Sequence, residues 1–222
     1  MGLARAPNGT KPPGQAGDGS AAKVYVVDDD ELIRSSLRRL LATARLAMEQ
    51  FGSGAEFLAQ VEFAGPCCLI LDFHMPGMNG LEVQAALKQR NVEIPIVFLT
   101  GSSDIPVAVA AMKQGAVDFV EKPFDNAVLL ERVQHALERS RSWWLEKGLQ
   151  REMQQRLQSL TARERSVFEL VVTGKTNKEI ARELGASYRT IEIHRRRVME
   201  KMDAATLADL VRMRPGAPAP ER

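Results

Sequence analysis

Cysteine is nearly absent from this 222-residue chain: its two copies, Cys67 and Cys68, are adjacent and lie inside an apolar run. A pair so placed builds neither a disulfide framework nor a metal cage, and reads as two small buried hydrophobes in a reducing compartment. Long hydrophobic runs are missing too. Nothing approaches the roughly 20 apolar residues of a membrane-spanning helix, and the N-terminal stretch lacks the apolar core of a secretory signal. A cytoplasmic protein without membrane attachment is therefore expected. Nucleotide-binding loops are likewise absent. Gly174-Lys175-Thr176 resembles the end of one, but the glycine required five positions earlier is Glu169, and no apolar strand precedes it.

Enough is present for two small domains: 45% of residues are hydrophobic and 26% charged. The net charge of +2 hides an uneven distribution, −6 over Lys23–Glu138 against +4 over Thr161–Arg214, which suggests different partners for the two halves. Residues 1–22 and 215–222, rich in Gly, Pro and Ala, are expected to be disordered tails, since they have little apolar surface to offset their ordering entropy.

Over residues 23–139 an alternation repeats five times. Apolar runs of strand length (23–27, a weak one at 48–51, 67–71, 94–99 and 118–122) precede helical stretches at 31–44, 55–63, 80–90, 106–114 and 126–139. Pro106 and Gly115 stand where a first-turn proline and a C-terminal cap belong. This predicts a doubly wound α/β fold around a parallel sheet. Residues 140–160 continue helical as a linker in which Leu149, Met153, Leu157 and Leu160 share a face that Gly148 interrupts; a partner-pairing and a solvated helix are both open. From 161 to 214 only short helices follow, near 162–172, 177–184, 188–202 and 205–213. Thr161/Glu164 and Thr176/Glu179 have capping-box spacing. Gly185-Ala186-Ser187 between the second and third makes a helix-turn-helix, with Ile191, Val198 and Met202 directed to the core. Leu207, Leu210 and Val211 of the last helix suit either a core or a dimer seam.

In an open α/β sheet, ligands bind at the carboxyl ends of the strands where strand order reverses. With order 2-1-3-4-5, Asp28-Asp29-Asp30-Glu31 after the first strand and Asp72 after the third converge there. Clustered carboxylates repel unless a hard cation neutralises them, and Mg²⁺ is the expected ion. Thr100 and Lys122 bring a hydroxyl and an ammonium to the same edge, so the set suits a phosphoryl group with Asp72 as nucleophile. Each residue also has a plainer explanation: 28–31 as a solvated helix start, Asp72 as a turn cap, Lys122 as surface, Phe119 as a core strand residue. Complementary chemistry at four strand ends is harder to assign to chance.

The stretches VVDDDE, LILDFHMPGMNG, IVFLTG and DFVEKPF resemble the receiver domain of response regulators, and the Asp29–Asp72, Asp72–Thr100 and Asp72–Lys122 separations of 43, 28 and 50 fit that family. TNKEIARELGASYRTIEIHRRRVMEKM resembles the LuxR-type helix-turn-helix of the NarL/FixJ class, in which GSSDIPVAVAAMKQGAVDFVEKPF points to the FixJ-like branch. The resemblance implies a phosphoacceptor at Asp72, a switch hydroxyl at Thr100, a switch aromatic at Phe119 and a phosphate-pairing Lys122 before a cis proline. Mg²⁺ would be held by Asp29, Asp72 and the backbone carbonyl of His74, with Asp28 acting through water. Glu192, Ile193 and Arg196 would face bases, and Lys178, Arg189, Thr190, His194, Arg195 and Arg197 phosphates. A solvated basic face and a surface histidine are the plainer readings of Arg195–Arg197 and His194. Implied partners are a sensor histidine kinase, double-stranded promoter DNA, RNA polymerase and, on phosphorylation, a second copy of the chain. Catalysis would be limited to self-phosphorylation and autodephosphorylation. Two rivals remain at this point: an Asp-nucleophile hydrolase, which would usually carry an acid where His74 stands, and a DNA-binding protein with an idle receiver.

Overall fold

The computed structural model describes residues 22–101 and 118–214. The helix expected at 106–114, its Gly115 cap, residues 1–21 and the C-terminal tail 215–222 lie outside the described residues. The chain divides into two compact units between Ser142 and Trp143.

The first unit runs β1 (Lys23–Val27), α1 (Glu31–Thr43), β2 (Ala47–Phe51), α2 (Gly54–Gln60), β3 (Cys67–Asp72), α3 (Gly80–Gln89), β4 (Ile96–Thr100) and β5 (Asp118–Glu121), followed by the long α4 (Asn126–Gln158). The five strands are parallel in the order β2-β1-β3-β4-β5. Strand side chains alternate between faces, so each strand feeds two cores. Tyr25, Val27, Leu69, Leu71 and Phe98 pack with Phe51, Phe57, Val83 and Leu87 on one side. Val24, Val26, Ile70, Val97 and Leu99 pack with Leu37, Leu41, Leu129, Val133 and Leu137 on the other. Every residue of β3 is buried, as expected of a central strand covered on both faces. Cys67 and Cys68 belong to these cores, and burial raises both thiols, Cys67 to about 11.

Local chemistry sets the helix starts. Asp30 caps α1 by accepting from Leu32 N at 2.8 Å. Ser53 caps α2, and Glu56 returns its carboxylate to Gly52 N, one residue before the cap. Asn79 and Glu82 form a full capping box on α3. Helix α2 ends at Gln60 rather than near Phe63, because Val61 turns extended and Phe63 packs edge-on against Tyr25 and Phe57.

The second unit contains the last turns of α4, then α5 (Ala162–Val172), α6 (Asn177–Glu183), α7 (Tyr188–Met202) and α8 (Leu207–Arg212). Helix α4 runs through Gly148 unbroken, and around that glycine a Cβ would meet open space. Met153, Leu157 and Leu160 join the core with Val167, Phe168, Val171, Ile180, Ile191, Val198, Met202 and Leu210, whereas Leu149 is 60% exposed. Of the last helix, Leu210 is core while Leu207 and Val211 are exposed. Capping boxes start α5, α6 and α8, and Gly174 and Gly185 carry φ of +87° and +60° after α5 and α6, conformations open to glycine. Glu164 is buried under Lys201 Nζ at 2.6 Å and also accepts from Thr161 N at 2.9 Å. The Lys201 bond first, then those from Thr161, hold its carboxyl down at about 2.

Candidate functional site

The sheet order places the ends of β1 and β3 side by side, with Val27 opposite Leu71 and Asp72 opposite Leu99. Asp28 and Asp72 are buried, Asp29 is exposed, and carboxylate oxygens of all three lie within 4.8 Å of one another. Lys122 follows β5 through a backbone bond from its N–H to Thr100 O (2.7 Å) and precedes a cis proline. Its Nζ donates to Asp72 Oδ1 at 2.8 Å and Asp28 Oδ2 at 2.9 Å. Burial and the Asp28 charge hold Asp72 above the usual carboxylate range, against the opposing hydrogen bond from Lys122. Burial works to lower Lys122, but its bonds to the two carboxylates outweigh this and its ammonium is held above the usual lysine value.

Thr100 is buried at the end of β4, 3% exposed, on the strand beside Asp72. Phe119 is 40% exposed on β5, next to that strand. His74 is exposed and meets Phe73 edge-on, with ring centroids 4.9 Å apart. Two supporting groups escaped the sequence reading. Arg34 donates to the backbone oxygen of Asp28 at 2.6 Å, and Asp28 Oδ1 accepts from Asp30 N at 2.8 Å, fixing the carboxylate's orientation. Gly80 sits under the end of β3, where a Cβ would stand 2.7 Å from Asp72 O and 2.8 Å from the Phe98 ring.

Three oxygen donors, two buried and one open to solvent, fit a hard divalent cation that keeps water in the rest of its shell. Lys122 offsets one of the two buried carboxylate charges and leaves the other, with that of Asp29, for a cation. The same ammonium suits a phosphoryl oxygen arriving at Asp72.

In the second unit, α6, the Gly185 turn and α7 form the helix-turn-helix, with Ile191, Val198 and Met202 fully buried. Lys178, Arg189, Thr190, Glu192, Arg196 and Arg197 are exposed; Ile193, His194 and Arg195 are half-buried. Several are already engaged. Arg189 pairs with Glu192 at 2.8 Å, Arg196 approaches Glu200 at 3.8 Å, and Arg195 donates to Asn177 Oδ1 at the start of α6. Thr190 serves the N-terminal cap, its N–H donating to Ser187 Oγ at 3.0 Å. His194 Nδ1 is buried and has no hydrogen-bond partner among the described residues.

A carboxylate trio, a threonine and a lysine gathered at the switch point of a 2-1-3-4-5 sheet define a receiver-like domain, here on a chain that also carries a helix-turn-helix. Comparison with known proteins agrees. Residues 24–134 match the response regulator receiver domain, and residues 158–214 match the luxR family of bacterial regulatory proteins. The chain is 43% identical over 190 residues to the transcriptional regulatory protein FixJ of Azorhizobium caulinodans, spanning 86% of this chain and 90% of that one. It is also 43% identical over 203 residues to nodulation protein W of Bradyrhizobium diazoefficiens, spanning 90% and 89%. Among solved structures, the response regulator StyR aligns with a TM-score of 0.83 at 39% identity, over 87% of this chain and 98% of that one. The chain belongs to the NarL/FixJ class of response regulators, transcriptional regulators that join a receiver to a LuxR-type DNA-binding domain. Among the described residues, no helix is long and apolar enough to cross a membrane.

Proposed function

We propose that this protein accepts a phosphoryl group on Asp72 from the phosphohistidine of a sensor kinase and thereby gains affinity for promoter DNA as a dimer in the cytoplasm. The observation that carries the reading is Lys122 Nζ between Asp28 and Asp72 at the strand ends, with Thr100 on the adjoining strand. Asp72 attacks phosphorus as the P–N bond to histidine breaks, and the imidazole leaves with the bonding pair and takes up a proton. Asp29, Asp72 and the His74 carbonyl would hold Mg²⁺, with Asp28 acting through water, and the bound ion would offset charge on the phosphoryl oxygens. Lys122 exchanges a carboxylate partner for a phosphoryl oxygen, Thr100 donates its hydroxyl to another, and Phe119 turns into the space this opens. The altered receiver surface pairs two copies, and two α7 helices then meet two half-sites near RNA polymerase. Glu192, Ile193 and Arg196 read bases, while Lys178, Arg189, Thr190, His194 and Arg197 meet phosphates; Arg195 does so after exchanging Asn177 for one.

Beyond phosphoryl capture and its hydrolysis, the chain is not an enzyme. Incubation with acetyl phosphate and Mg²⁺, followed by phosphate-affinity electrophoresis, is expected to give one retarded band that Asp72→Asn lacks. Sustained turnover of added phosphoesters by the wild type, with no accumulating phosphoprotein, would defeat the proposal in favour of a hydrolase.

A further inference from the structure

The chain has two tyrosines, and they are used in opposite ways. Tyr25 is 2% exposed, with its ring among Phe51, Phe57 and Phe63 and its hydroxyl on Glu62 O at 2.8 Å. Tyr188, the first residue of α7, is 58% exposed, and its hydroxyl has no hydrogen-bond partner among the described residues. A large ring with a polar tip left in water contributes little to the fold, and this is the kind of side chain that carries interfaces.

Its position on the helix narrows the partner. The buried stripe of α7 is Ile191, Val198 and Met202, so Arg189, Arg196 and Glu200 point furthest from the core. Tyr188 lies about 100° around the helix from Arg189. That puts it on the flank, one turn before Glu192 and two before Arg195. Arg195 on the same flank donates to Asn177 Oδ1 at the first residue of α6, where Lys178 is exposed. Tyr188 thus shares the flank of α7 from which Arg195 reaches the first residue of α6. In a helix-turn-helix complex the outermost side chains of the second helix meet base edges, while its flank and the first helix meet the groove wall, which is sugar and phosphate.

We infer that Tyr188 is a DNA-backbone anchor: its hydroxyl donates to a phosphate oxygen at the groove edge while its ring lies on the adjoining deoxyribose. The inference rests on the proposal that α7 enters the major groove. The basic charge of the domain supports a phosphate partner, and Lys178 and Arg189 are both exposed. A backbone contact adds affinity on any sequence, and a neutral hydroxyl releases no counterion, so the salt dependence should stay as it is.

The test uses the full chain, treated with acetyl phosphate and Mg²⁺, and a duplex it selects from a random-core library, with a scrambled duplex alongside. Tyr188→Phe should bind both duplexes about tenfold more weakly and Tyr188→Ala about a hundredfold, the loss of a hydrogen bond to a charged group and of the ring's contact. Neither variant should change the slope with salt or the ratio between duplexes, whereas Lys178→Ala should flatten the slope. Ethylation interference gives a readout that no folding defect mimics. One phosphate per half-site whose ethylation weakens the wild type should cease to matter in Tyr188→Phe. Wild-type affinity and an unchanged interference pattern in Tyr188→Phe would overturn the anchor, as would a changed ratio between duplexes, which would mark a base contact. Loss of transcription with DNA affinity intact would instead place a protein on Tyr188 and also overturn it. A wild type that retains no duplex would defeat the DNA reading itself, whereas a normal variant beside a binding wild type defeats only the anchor.

Discussion

Asp28 and Asp72 are two carboxylates in a mostly buried setting, and Lys122 is the group that makes their nearness tolerable. Truncating one partner of such a cluster leaves charge in a poor solvent. Lys122→Ala should therefore destabilise the magnesium-free protein by about 2 kcal/mol, the buried-pair cost discounted because the Lys122 side chain is partly exposed. Magnesium should then raise the melting temperature more in this variant than in the wild type. Equal rises, measured by calorimetry with and without the ion, would show that the ammonium and the cation do not share a role. Glu164 obeys the opposite sign. Its carboxyl is lowered from 4.5 to about 2, so the stability it lends is complete above about pH 5 and lost as the pH falls toward 2. On the order of 3 kcal/mol is at stake. Thermal melts of wild type and Glu164→Gln across that window should converge at the acid end.

Among the elements, β3 and α3 hold the site together through a close approach. Gly80 N donates to Phe73 O at 3.0 Å, and a methyl on Gly80 would collide with the backbone oxygen of Asp72. Gly80→Ala should cost about 1–3 kcal/mol in overpacking and slow phosphoryl capture several-fold by displacing the end of β3. Unchanged rates of band retardation with acetyl phosphate would contradict this. The same elements show what sequence patterns can reveal. The run CCLILD, the acidic stretch after KVYVV, and the S/T-x-x-E boxes report on contacts within a few residues or on burial on both faces, and both leave periodic traces. Arg34 leaves none, because its use depends on the chain folding its guanidinium back onto Asp28 O, and any exposed helical arginine looks alike in sequence. Gly148 does not break the helix, because its propensity cost of about 1 kcal/mol is too little to stop 33 residues that pack into a core near each end. Tyr188 leaves no trace in the pattern either, since a residue beside a helix cap is usually structural and only its exposure sets it apart.

For the whole molecule, a receiver in one unit and a helix-turn-helix in the other are chemically independent, and the proposed function requires that they be coupled. Phosphorylation adds close to two negative charges at a point where an ammonium and a hydroxyl can close on them. Such an event raises DNA affinity only if the receiver's two surface states differ in their tendency to pair, and the gain is bounded by that difference. A tenfold gain in affinity corresponds to about 1.4 kcal/mol, well within what a rearranged interface supplies. The most direct measurement compares binding to a selected duplex by wild type and Asp72→Asn, each with Mg²⁺ and with or without acetyl phosphate. The expected result is tighter binding, by tenfold or more, in treated wild type alone, with an inverted repeat as the preferred site. Equal binding by the two proteins under all conditions would contradict it, leaving a DNA-binding domain that the receiver does not control.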